Sequence, residues 1–146
     1  MPITDLQTAT LHAQLAGHGD EHQRMLGQLT SEEDQDGYSK LLATGFFEAV
    51  DQRFVKDGKI AEDSAVVDFV ANLRSKTSEV ADRLNPSIAE RLILHALGRG
   101  EIDDIDGNTR LSGQILILGG LIADMSLSEP ELDAFMTRIR GMAEDW

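Results

Sequence analysis

Leu127-Ser-Glu-Pro-Glu-Leu132-Asp-Ala-Phe135-Met-Thr-Arg-Ile139-Arg-Gly-Met142-Ala-Glu-Asp-Trp146 decides the fold class. Leu132, Phe135, Ile139, Met142 and Trp146 recur at spacings of three or four, which places them on one apolar stripe of a helix. Ser128 and Glu131 form a capping box at its start, and Leu127 and Leu132 hold the N′ and N4 places of a hydrophobic staple. The pattern predicts a helix over 128–145.

The same period runs upstream. Tyr38, Leu42, Phe46, Val50 and Phe54 step by four, predicting a helix over 31–56 that stops at Asp57-Gly58. Its first turn carries Glu32, Glu33 and Asp34, which complement the positive end of the helix dipole. Val66, Val70, Leu73, Val80 and Leu84 predict one further helix, with Thr77 filling the gap and Asp63 or Ser64 as its cap. Asn85-Pro86 ends it, because the residue before proline is pushed out of the α region, and Asn85 then caps a helix ending at Gly98. From about 109 to 124 the apolar residues cover most of a helix circumference, predicting a central helix buried nearly all round. Gly119-Gly120 within it costs about 1 kcal/mol per glycine in propensity, so a neighbouring helix is expected to approach closely there.

Residues 1–30 are less regular. Leu11, Leu15, Met25, Leu26 and Leu29 suggest one or two helices, with Gly17 and Gly19 interrupting and Asp20 with Gln23 capping a restart. Residues 1–36 hold seven acids and one base, so this stretch reads either as a mobile arm or as a loosely docked helix.

Composition limits the function classes. The 146 residues contain 26 Asp plus Glu against 13 Lys plus Arg, a formal charge of −13. Such a field repels phosphate backbones and suits a basic protein partner or a cation. Cysteine is absent, which removes thiolate zinc sites, disulfides and cysteine nucleophiles. The apolar charge-free stretch 111–123 has 13 residues and falls short of the ~20 that a membrane span needs. No basic segment followed by an apolar block opens the chain, so the expectation is a cytoplasmic protein.

Two patterns point to chemistry. His18-Gly-Asp-Glu21-His22 matches the H-x-x-E-H order of inverted zinc peptidases, in which two histidines on one helical face bind zinc and the glutamate is the base. Gly17 and Gly19 work against the continuous helix this needs. The acidic run Ile102-Asp103-Asp104-Ile105-Asp106-Gly107-Asn108 lacks the acidic first and last ligands of a calcium loop and reads as a turn whose Asp or Asn caps the next helix.

Two further strings share a layout: Phe54-Val-Lys-Asp57-Gly58-Lys-Ile60-Ala-Glu62 and Leu121-Ile-Ala-Asp124-Met-Ser-Leu127-Ser-Glu129. This resembles the A-D-G-x-[IL]-x-x-x-E punctuation of tellurite-resistance TerB-like helical domains. The first string lacks the alanine before Asp57, and the second has Met125 where glycine is expected. The resemblance implies an all-α fold and a divalent metal at acidic loops, carried by Asp57 and Asp124.

The sequence therefore predicts one all-α domain over 1–146, a bundle of about five or six helices around the central helix. The expected function is that of a non-enzymatic protein-interaction or regulatory protein with no cofactor and no nucleic-acid or membrane partner. Its acidic surface would meet a basic protein, and a homodimer is open. The alternatives are a cation-binding TerB-like domain using Asp57 and Asp124, and a zinc-dependent hydrolase using His18, Glu21 and His22.

Overall fold

A computed structural model describes residues 2–145. In chain order its elements are α1 (Asp5–Leu15), α2 (Gly19–Leu26), α3 (Glu32–Phe54), β1 (Val55–Lys56), β2 (Lys59–Ile60), α4 (Asp63–Ser75), α5 (Ser78–Arg83), α6 (Pro86–Ala96), α7 (Gly107–Met125) and α8 (Glu129–Asp145). The described residues are thus all-helical apart from one two-stranded ladder, with eight helices where five or six were expected. The difference lies in two short helices, α2 and α5, each closed off by a local cap or glycine. No described helix is long and apolar enough to cross a membrane. The chain forms two compact units: residues up to Gly45 together with those from Ile122 onward, and Phe46–Leu121.

In the first unit, Thr4 and Gln7 make a reciprocal capping box that starts α1: the Gln7 amide N–H donates to Thr4 Oγ1 at 3.1 Å, and the Thr4 N–H donates to Gln7 Oε1 at 2.8 Å. Leu11 of α1 is fully buried, as is Ile3 just before that helix, and Leu29 after α2 is buried too. Gly17, at φ +81°, ends the first helix in the left-handed region that glycine enters freely. The restart differs from expectation. His18, not Asp20, holds the N-cap of α2, and its side chain makes no capping bond. The capping box of α8 is present in both directions, Ser128 N–H to Glu131 Oε1 at 2.9 Å and Glu131 N–H to Ser128 Oγ at 3.3 Å. Its buried face is Leu132, Phe135, Met136, Ile139 and Ala143, so the stripe closes on Ala143 and leaves Met142 40% exposed. Trp146, expected to continue that stripe, lies outside the described residues. Arg140 of α8 binds the start of α1, donating to Asp5 Oδ1 at 2.8 Å and to the Ile3 carbonyl at 2.6 Å.

Tyr38 of α3 is the chain's single tyrosine and is buried, its hydroxyl donating to Gln14 Oε1 at 3.3 Å. Burial pushes its phenol up to about 12. The neutral form is the one the fold accommodates. Stability is therefore expected to hold up to the ordinary phenol range near 10 and to fall as pH rises toward 12. Phenolate absorbance in the folded protein should appear near pH 12, and a midpoint near 10 without unfolding would contradict the burial.

In the second unit, the helix expected from Val66 to Leu84 is two helices. Thr77, read as filling a gap in the stripe, instead caps α5 by accepting from the Val80 N–H at 3.1 Å. A short hydroxyl that bonds its own backbone favours a cap over helix interior. Asn85 caps α6 as expected, accepting from the Ile88 N–H at 3.1 Å with Pro86 in the first turn. Asp57-Gly58 does more than stop α3. Both residues have positive φ, +53° and +76°, the type I′ geometry of a two-residue hairpin that pairs Val55 with Ile60 and Lys56 with Lys59.

The helix expected to be central, α7, is not buried nearly all round. Ile117, Leu118 and Leu121 are buried, while Ile115 and Leu116 are half-buried and Ser112, Ala123 and Asp124 are exposed. The close approach also falls elsewhere: a Cβ on Gly119 would meet nothing within 4 Å, whereas one on Gly120 would stand 2.6 Å from a Leu73 methyl. Gly113, seven residues earlier on the same face, would meet a Leu92 methyl at 2.6 Å. Glycine thus seats leucine side chains of α4 and α6 rather than a helix backbone.

The arginines here have a structural use. Arg74 donates to the carbonyls of Ala81 and Leu84, Arg91 to that of Glu101, Arg99 to that of Ala61, and Arg110 to those of Ile102 and Ile105. In the sequence they stand spread among acids, the pattern of a mixed-charge surface. The planar five-donor fork instead satisfies helix-end and loop carbonyls that no ladder reaches.

Candidate functional site

The predicted zinc pattern is dispersed. His18 precedes the first helical residue of α2 and has non-helical φ and ψ of −94° and 70°. His22 is buried, and its ring Nδ1 lies 2.9 Å from the Thr10 carbonyl, so that nitrogen carries the proton and donates. Glu21 pairs with Arg24, whose hydrogen-bonding guanidinium holds the carboxyl below its usual range. Asp57 sits in the hairpin turn of the second unit and Asp124 near the end of α7 in the first. The turn after Asp124 does contain a left-handed residue, but it is Ser126, at φ +51°, rather than a glycine at 125. Among the described residues, no three His, Asp or Glu side chains are grouped so as to hold a metal ion.

His18 lines a different cleft, of about 380 Å³, with His12, Leu15, Ile122, Leu127 and Leu132 among its walls. His12 Nε2 lies 3.2 Å from Asp133 Oδ1, close enough for an ion pair when the ring is protonated but without hydrogen-bond alignment. The two imidazoles that share a cleft are therefore His12 and His18, with His22 turned to backbone.

The larger cleft of this unit, about 520 Å³, is where acids collect. The start of α3 supplies Glu32, Glu33, Asp34 and Asp36, and the segment before α1 supplies Pro2, Ile3 and Thr4. Ser31 starts that helix by accepting from the Asp34 N–H at 3.0 Å, and the following acids sit in its first turn. Glu32, Glu33 and Asp36 are exposed, whereas Ile3 and Gln7 are each only 2% exposed. Gln7 ties the two sides together: its Nε2 donates to the Asp34 carbonyl at 3.0 Å while its Oε1 serves the cap of α1. Gly37 makes room for it, since a Cβ there would stand 2.8 Å from Gln7 Cδ and 2.9 Å from its Oε1.

No family model matches the chain, and no curated protein or solved structure matches it.

The chemistry of the cleft follows from its own groups. The carboxylates along one wall outnumber the single basic side chain of the lining, Lys40, and attract cations, while the exposed Pro2 offers an apolar surface for an aliphatic stem. Lysine and arginine side chains combine both properties. Sequence reading assigned Glu32, Glu33 and Asp34 only to dipole complementation, and missed Ile3 and Gln7. The signal available was Thr4-x-x-Gln7, a capping box just upstream of the apolar period that begins at Leu11.

Proposed function

We propose that this chain is a non-enzymatic protein-interaction or regulatory protein that receives a lysine- or arginine-bearing segment of a basic partner in the cleft between the start of α3 and the segment preceding α1. The observation carrying this reading is that Glu32, Glu33, Asp34 and Asp36 line a single cleft of about 520 Å³ beside buried Ile3. Acids spread along a wall suit several cationic groups on a chain better than one ion, which needs ligands converging on a point. The net charge of −13 would speed encounter with a basic partner in the cytoplasm, a gain that salt screens. A cation-binding TerB-like reading keeps Asp57 and Asp124 as its residues and draws no added support from where they lie.

Fluorescence anisotropy with a labelled lysine-rich peptide tests the proposal. The wild-type chain should bind it, and Glu33→Lys with Asp36→Lys should weaken binding by about tenfold or more, since opposed charge is replaced by like charge. Equal affinity for wild type and the double variant would remove the cleft from the account.

A further inference from the structure

In a chain so rich in acid, the hairpin is a local exception. Residues 53–59 hold Arg53, Lys56 and Lys59 against one acid, Asp57. Lys56 and Lys59 are cross-strand partners flanking the turn, and like charges set directly opposite each other are destabilising. Neither ammonium has an ion-pair partner among the described residues. Arg53 is held beside them, its guanidinium 5.8 Å from the Phe54 ring centroid and 5.4 Å from that of Phe69, and the two rings meet edge to face at 5.7 Å. Arg53, Phe54, Lys56 and Lys59 line a groove of about 380 Å³ together with Ile60, which is 43% exposed. The groove thus presents cations around an uncovered apolar side chain.

We propose that this groove docks a second copy of the chain, through the acidic wall at the start of α3. Charge complementarity selects that occupant: Glu32, Glu33 and Asp36 are exposed carboxylates beside the exposed Pro2, matching the Lys56, Lys59 and Ile60 set in both charge and apolar character. The inference rests on the acidic cleft being a receptor for basic groups. Because the two surfaces are different, the contact is heterologous and can extend head to tail or close into a ring. The whole-chain charge of −13 opposes it at a distance, so association should need salt enough to shorten the Debye length to about 10 Å while contact pairs survive.

Sedimentation equilibrium of the full chain over a concentration series, at about 0.1 M ionic strength, gives the test. Wild type should rise above monomer mass with concentration. Lys56→Glu with Lys59→Glu, and separately Glu33→Lys with Asp36→Lys, should each weaken association by about tenfold or more. An equimolar mixture of the two double variants should restore it, because each retains the surface the other lacks, and this rescue also shows that both fold. A wild type that stays monomeric, a variant that associates like wild type, or a mixture that fails to recover would overturn the proposal. So would a monomeric wild type whose hairpin captures a glutamate-rich peptide, which would make the occupant another acidic protein. If the lysine-rich peptide still binds the Lys56→Glu, Lys59→Glu chain while wild type is monomeric, self-docking fails and the cleft reading stands.

Discussion

Leu11→Ala is expected to lower the unfolding free energy by about 2–5 kcal/mol, the range for removing a buried leucine and leaving a cavity. Leu11 is 0% exposed in α1, and Thr10 and Ala13 beside it are buried as well. Denaturant titration of the variant separates the two readings open in the sequence. A mobile acidic arm predicts a change near zero, since its residues would not be part of the cooperative unit. A loss within the range above makes residues 3–15 a working part of the first unit, as the ties of Arg140 to Asp5 and Ile3 imply.

The second large effect belongs to Gly37→Leu, which should cost about 2–4 kcal/mol and weaken peptide capture together. Forcing a side chain into the space of Gln7 is overpacking, worth about 1–3 kcal/mol. Displacing Gln7 from the Asp34 carbonyl and the Thr4 N–H also gives up two hydrogen bonds at about 1 kcal/mol each. Better helix propensity returns about 1 kcal/mol. Gly119→Ala supplies the control, because nothing lies within 4 Å of its Cβ position. That variant should gain up to about 1 kcal/mol in stability. A Gly37→Leu chain as stable as wild type, measured by the same titration, would show that Gln7 yields easily.

What the sequence makes legible is local. Capping pairs sit three residues apart, so Ser128 with Glu131 and Asn85 with Ile88 follow from the string alone. The long apolar stripes do too, because a 3.6 period needs no knowledge of the partner. Three things were hidden for physical reasons. Thr77 fits a helical stripe and a cap equally well until the competing backbone bond is seen. Gly119 and Gly120 are adjacent in the string but point about 100° apart on the helix, and only the position of Leu73 tells which is tight. The Asp57-Gly58 hairpin has arms of two residues, too short to show an alternating pattern, although Asp-Gly is itself a turn signal.

The candidate site was legible in its charge and not in its place. The excess of acid in residues 1–36 suggests a cationic partner, but the wall exists only because Ile3 and Gln7, from a segment 25 or more residues away, pack beside the first turn of α3. Likewise the histidine pattern was visible as spacing, while the side chains it joins face different surroundings: His22 the Thr10 carbonyl, His18 the cleft of His12.

Amide chemical-shift mapping with the lysine-rich peptide tests the central claim most directly, because it reports where a basic ligand sits as well as whether it binds. The account predicts that shifts concentrate at residues 3–7 and 32–40, that Glu33→Lys with Asp36→Lys abolishes them, and that they fade with added salt. Shifts scattered over the exposed acids of α2, α5 and α8 with residues 3–7 unmoved would contradict it: the acidity would then be a diffuse field and the cleft no receptor.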